Sequence, residues 1–153
     1  MKSVGIGQIV VADGPDDVVG MIGLGSCVGI FCAVPGRLVT AAHVLLPDSG
    51  GKDVPSPGKY GDTAVTALSA ILRERGVPMS KVQVSLAGGG QVLSFSDNRP
   101  ELEIGRRNIE AVTALLSVNR LTIVEDITGG TSAASVKLRV ATGRFEAKRT
   151  AAA

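Results

Sequence analysis

Val28 to Pro47 reads VGIFCAVPGRLVTAAHVLLP, two apolar runs on either side of Pro35-Gly36. Each run has the length of one strand, and Pro-Gly is a turn signal. The stretch therefore predicts a β-hairpin with strands over Val28–Val34 and Arg37–Leu46. Register decides what the hairpin can do. Counting outward from a three-residue loop of Val34, Pro35 and Gly36 sets Ala33 opposite Arg37 and Cys27 opposite His43. Directly opposed residues carry their Cβ atoms about 5 Å apart on one face. A two-residue loop instead pairs Cys27 with Val44 and turns His43 to the other face. A meeting of Cys27 and His43 thus requires an odd-numbered loop, or a bulge that restores parity. Cys32 lies five positions beyond Cys27 and is expected to point the opposite way, into packing.

Outward from the hairpin, Gly5–Ala12 and Val18–Leu24 read as strands, with a turn at Asp13–Asp17. Pro47–Gly61 is a long loop by composition, a length that often carries function. Asp62 is placed to cap a helix over Thr63–Arg75, which Gly76 and Pro78 close. Ala64, Val65, Leu68, Ile71 and Leu72 recur on one face of that helix. Lys81–Gly90 alternates as a strand and breaks at three glycines. A second helix spans about Arg106–Val118, and strands near Thr122–Ile127, Ser135–Ala141 and Arg144–Lys148 finish the chain. Helices packed on a largely antiparallel sheet or sandwich is the expected architecture.

Composition narrows the function classes. The chain of 153 residues is 44% hydrophobic and 20% charged, which suits a folded core in one domain. Three Phe, one Tyr and no Trp leave little surface for stacking bases. A formal net charge of +2 is too small to argue for nucleic acid or anionic lipid. The basic GRFEAKRT segment reads as a solvated edge strand and tail. Val18 to Gly36 has no charged residue, yet it holds five glycines, a serine and a proline. Buried strands fit it better than a membrane helix. Three aspartates precede it where a secretory signal has positive charge, so a cytoplasmic chain with reduced thiols is expected.

The two cysteines then need a chemistry. Along one strand Cys27 and Cys32 lie about 16 Å apart, beyond the roughly 7 Å that a disulfide spans. Two Cys and a single His fall short of a zinc site. GLGSCVG is G-x-G-x-x-x-G without the strand–turn–helix setting of a dinucleotide site. No metal or cofactor is implied. A Cys–His pair remains, beside the bland reading of both residues as core. The Gly-x-Gly-Ser lead-in favours the pair, because it turns the backbone sharply and exposes peptide N–H groups near the thiol. Cys27 is the candidate nucleophile, His43 its activator, and the backbone around Ser26 the candidate oxyanion support.

GLGSCVGIFC, AAHVLLPDSGGK, PGKYGDTAV, LAGGGQVL, IGRRNIEAV, VEDITGG and ATGRFEAK follow one another here in the order of motifs in the CheD family, the chemoreceptor glutamine deamidases. The sequence resembles that family from Gly5 to about Lys148. The resemblance implies an α/β (α+β) fold: a β-sandwich, mostly antiparallel core with two helices on one side, similar to the catalytic domain of cytotoxic necrotizing factor toxins. It also implies a single domain over 1–153, with 149–153 a loose tail. The activity implied is that of a protein-glutamine glutaminase, hydrolysing glutamine side-chain amides of methyl-accepting chemotaxis receptors to glutamates. A CheC-type phosphatase is the implied partner, with no nucleic acid and no membrane insertion. By motif, the nucleophile falls on Cys27 and the general base on His43. The family's threonine upstream of the cysteine falls on Met21, whose thioether has no hydroxyl to orient an imidazole. After Gly129-Gly130, Thr131 and Ala134 replace the usual Asn and Arg, and Gly90 stands where a small alanine usually ends the glycine segment. A divergent docking module with weak or no catalysis is the rival reading, and a small-molecule thiol hydrolase a weaker third.

Overall fold

The hairpin forms the middle of the molecule, as β4 (Val28–Val34) and β5 (Leu38–Val44). The computed structural model describes residues 1–91 and 103–150. β2 (Ile9–Ala12), β6 (Gln83–Gly88) and β7 (Thr122–Thr128) extend the hairpin into a five-stranded sheet of order β2-β5-β4-β6-β7. β1 (Lys2–Ser3), β3 (Val18–Leu24), β8 (Ala133–Arg139) and β9 (Phe145–Thr150) form a four-stranded sheet of order β1-β3-β8-β9. Helices α1 (Gly61–Glu74) and α2 (Ile104–Val118) complete the fold.

Side-chain alternation along the hairpin sorts the core into two layers. Val28, Ile30 and Cys32 of β4, with Ala42 and Val44 of β5, cluster with Leu68 and Leu72 of α1 and Val112 and Leu116 of α2. Phe31, Ala33, Val39 and Ala41 point the other way and cluster with Val19, Met21 and Leu24 of β3 and Val136 and Leu138 of β8. The central sheet is thus covered by helices on one face and by the second sheet on the other. This explains why β5 is buried at every position and shows no polar alternation. The α+β sandwich with both helices on one side is the architecture expected.

The parallel pairing of β6 with β7 departs from the antiparallel rule. Parallel neighbours need a long crossover, and α2 lies within it. β1 also pairs in parallel, with β3; a strand of two residues has no periodicity to read. Strand β9 takes in Arg149 and Thr150, so the loose tail expected over 149–153 does not begin at 149; residues 151–153 lie outside the described residues.

Neither helix has a side-chain N-cap. α1 starts after Tyr60, so Asp62 is not the cap expected of it. Instead it sits in the first turn and accepts from the Ser49 backbone N–H at 3.0 Å and the Ser49 hydroxyl at 2.7 Å. Burial pushes the Asp62 carboxyl up, but these hydrogen bonds outweigh it and hold the group below the usual carboxylate range. A missing cap costs about 1 kcal/mol, whereas each fully buried aliphatic side chain contributes about 1.5–3 kcal/mol. Leu68, Leu72 and Leu116, all fully buried, therefore decide that these segments are helical. The C-terminus of α1 closes as the sequence indicates: Gly76, at φ +70°, donates to the Arg73 carbonyl and Val77 to that of Leu72.

Candidate active site

The hairpin turn sets where Cys27 and His43 stand. Arg37 N–H donates to the Val34 carbonyl at 2.9 Å, and Gly36 has φ +78°. Pro35 and Gly36 therefore occupy the central positions of a four-residue turn, the places where Pro and a positive-φ Gly fit best. Val34 remains in the ladder opposite Leu38, and the three loop residues are Pro35, Gly36 and Arg37. The odd-numbered loop is as expected, but the register is two residues from the expected one. Gly29, not Cys27, faces His43. Parity is preserved, and Cys27, in the bend just before β4, opens onto the same cavity as His43. Having no side chain, Gly29 leaves the space over it to Met21: a Cβ there would lie 2.6 Å from the Met21 sulfur.

Cys27 and His43 line one cavity of about 350 Å³, together with Ser3, Val4, Gly5 and Ile6 from the N-terminal segment and Gly20–Gly23 from β3. A volume at the small end of ligand pockets suits a single side chain better than a cofactor. Cys27 is 8% exposed and His43 7%, and both open onto this cavity. Cys32 is fully buried on the helix side, as expected.

The backbone before and at the thiol is held by its carbonyls. Gly25 O accepts from Gly90 N–H at 2.9 Å and Cys27 O from Gly89 N–H at 2.8 Å. Ser26 O accepts from Asn108 Nδ2 at 2.9 Å, and the same nitrogen donates to Leu45 O at 3.0 Å. Asn108 is fully buried and ties the segment before β4 to the residue after β5. With these carbonyls engaged, the Ser26 and Cys27 N–H groups donate to no backbone carbonyl among the described residues. Donors left free beside a nucleophile are what an oxyanion requires.

His43 is gripped at three atoms by the N-terminal segment. Its N–H donates to Gln8 O at 3.2 Å, and its carbonyl accepts from Gly7 N–H at 2.8 Å. Its ring Nδ1 lies 2.9 Å from Val4 O. A carbonyl can only accept, so Nδ1 carries the proton and Nε2 keeps its lone pair. Val4, which sequence reasoning missed, thus supplies the acceptor that Met21 lacks. A main-chain carbonyl leaves no mark in side-chain identity, and no signal in the sequence could have found it.

Burial raises the Cys27 thiol above its ordinary value, only partly offset by its own backbone N–H. Cys32, with no offset, is pushed up to about 12. The resting Cys27 is therefore a neutral thiol at pH 7, and its proton has to be taken during attack. Alkylation by iodoacetamide is expected to label Cys27 well before Cys32. Its rate should climb steadily from pH 7 to 9, because the thiolate fraction grows with pH up to a raised pKa. A plateau already reached by pH 7 would contradict the neutral resting state.

Residues of the sequence motifs outside the cavity serve structure. Lys59 Nζ lies 5.5 Å from the centre of the Tyr60 ring, and Lys59 O accepts from Leu45 and Leu46 at 2.9 and 3.0 Å, closing the long loop onto β5. Arg106 pairs with Glu103 at 2.7 Å. Ala134 is buried opposite Leu24, so it packs between sheets rather than facing a partner. No group of His, Cys, Asp and Glu able to hold a metal occurs among the described residues, and no helix there is long and apolar enough to cross a membrane.

A thiol and an imidazole lining one cavity, beside amide N–H groups that donate to no backbone carbonyl among the described residues, have the equipment of thiol-dependent acyl transfer on a two-sheet α+β scaffold. Comparison with known proteins narrows the class. Residues 45–149 match the family model described as CheD chemotactic sensory transduction. The chain is 41% identical over 148 residues to a probable chemoreceptor glutamine deamidase CheD of Symbiobacterium thermophilum, covering 94% of this chain and 89% of the relative. It is 39% identical over 145 residues to the chemoreceptor glutamine deamidase CheD of Thermotoga maritima, covering 94% and 88%. The chain belongs to the CheD family. Its fold also resembles the crystal structure of Bacillus licheniformis hypothetical protein YfiH, with a TM-score of 0.50 and 14% identity over 78% of this chain and 49% of that one.

Proposed function

We propose that this chain is a chemoreceptor glutamine deamidase in which Cys27 is the nucleophile and His43 the general base. The observation that carries the assignment of roles is the single cavity lined by both side chains, with Nδ1 of His43 committed to Val4 O and Nε2 left as a base. Nε2 takes the Cys27 proton as sulfur attacks the glutamine carboxamide carbon, and the N–H groups of Ser26 and Cys27 receive the oxyanion. The imidazolium returns the proton to the amide nitrogen, the C–N bond breaks, and ammonia leaves a thioester. Water then gives a proton to Nε2 and attacks the thioester carbon. The C–S bond breaks, sulfur recovers its proton, and glutamate is released.

The substrate is a glutamine on a folded receptor, and a CheC-type phosphatase and a cytoplasmic setting belong to the same proposal. Both cysteines are free thiols, in keeping with a reducing compartment. Incubation with purified receptor cytoplasmic fragments, followed by peptide mass spectrometry, is expected to show amide-to-acid conversion at particular glutamines. Failure to convert any receptor glutamine, with Cys27 intact and reduced, would leave only the docking-module reading.

Met21 was the feature favouring that rival. It is 1% exposed and packed over Gly29. Met21→Thr removes buried volume and buries a hydroxyl, at an expected cost of about 2–4 kcal/mol in denaturant unfolding. Because Nδ1 already has an acceptor, kcat should change less than about threefold. A tenfold gain in kcat would show that Val4 O does not do the work assigned to it.

A further inference from the structure

We infer that the N-terminal segment, through the Val4 carbonyl, is the orienting third member of the Cys27–His43 centre, and that catalysis depends on this strap being seated. The inference rests on the reading of Cys27 as nucleophile and His43 as base. A histidine that shuttles protons needs a partner at its second nitrogen to fix tautomer and ring orientation and to steady the imidazolium. Carboxylates and hydroxyls usually serve. Here Cys27 is the only other ionisable side chain lining the cavity among the described residues, and the hydroxyl position is filled by Met21. Val4 O at 2.9 Å is what Nδ1 meets.

The carbonyl is held for the task. Val4 is 3% exposed and its N–H donates to Gly20 O at 2.9 Å, while Gly7 and Gln8 clasp the backbone of His43 on the other side. Gly7, at φ +79°, allows the turn between these two grips. The strap is lightly fastened in comparison. β1 meets β3 at two register positions, Lys2 with Val19 and Ser3 with Gly20, and Lys2 pairs with Asp17 at 3.6 Å where both are partly exposed. A pairing this short opens more readily than the central sheet, so seating of the strap gates the base.

Cys27 itself supplies the test. A synthetic peptide of residues 1–26 can be ligated at the native Ser26–Cys27 junction with the peptide bond between Val4 and Gly5 replaced by an ester, which keeps every side chain and weakens the Val4 oxygen as an acceptor. The ester should lower kcat for receptor deamidation about tenfold, with KM within twofold. Deletion of Lys2–Val4 should lower kcat about 100-fold, at a temperature where circular dichroism shows the protein folded. The ester also removes the Gly5 N–H that donates to Gln8 Oε1 at 2.7 Å; Gln8→Ala removes that bond and leaves the Val4 oxygen intact, so the ester should fall at least about fivefold below Gln8→Ala in kcat. A folded ester protein with wild-type kcat overturns the strap while leaving the Cys27–His43 reading intact, as does Gln8→Ala reproducing the ester's effect. Wild-type activity in His43→Ala overturns the underlying reading itself.

Discussion

Cys27→Ala is expected to abolish ammonia release from receptor fragments, a fall of at least about 10⁴-fold in kcat, while changing stability by less than about 2 kcal/mol. The activity term is large because no other group can take the place of sulfur. The cavity's remaining polar side chains are Ser3 and His43, and water attacking an amide without a covalent intermediate keeps only the oxyanion donors. The stability term is small because the site is built from the main chain. The carbonyls of Gly25, Ser26 and Cys27 are each held by a donor, and the lost sulfur stood at the 8%-exposed mouth of a cavity rather than deep in the core. Ammonia release and thermal unfolding measured on one preparation separate the two effects. Cys32→Ala makes the contrast: it empties a fully buried site under the helices and is expected to cost about 1–3 kcal/mol with kcat nearly unchanged. Residual turnover above about 1% in Cys27→Ala would remove the thioester route.

Much of this arrangement was legible in the sequence because it depends on parity and apolar patterning, which side chains record. The strands of the hairpin, the odd loop and the opposite faces of Cys27 and Cys32 all follow from counting by two. What the count missed was which three residues form the loop. Pro35 and Gly36 belong at the two central turn positions, and that draws Arg37 into the loop and moves Gly29 opposite His43. Asp62 misled for a related reason: a residue suited to capping was claimed by the Ser49 loop instead. β1 and the Val4 contact were invisible, since a strand of two residues has no period and a backbone carbonyl looks the same in every sequence. The orienting and oxyanion roles proposed here fall to main-chain groups, so side-chain patterning points to the proposed thiol and imidazole and not to the carbonyl that holds the ring.

The glycines behind the nucleophile give the largest expected effect on stability. Gly88→Ala should destabilise the protein by about 3–5 kcal/mol in denaturant unfolding and lower kcat more than tenfold. Gly88 has φ +88°, a conformation costing an L-residue about 1–2 kcal/mol. Space decides the rest. A Cβ at this position would lie 2.1 Å from the Cys27 carbonyl oxygen and 3.1 Å from Leu24 Cβ. Neither neighbour is the flexible end of a side chain. Gly88 is paired with Val28 on one side and Thr128 on the other, so its own strand cannot retreat and the Cys27 peptide must. That movement breaks the bond from Gly89 N–H to Cys27 O and swings the Cys27 amide away from the cavity, which is why activity falls along with stability. Gly51→Ala is the matched control. Its φ is +76°, yet nothing lies within 4 Å of the added carbon, so only the backbone term of about 1–2 kcal/mol applies and kcat is retained. Equal costs at Gly88 and Gly51 would show that the glycine segment does not press on the nucleophile peptide, and the oxyanion donors would then need another anchor.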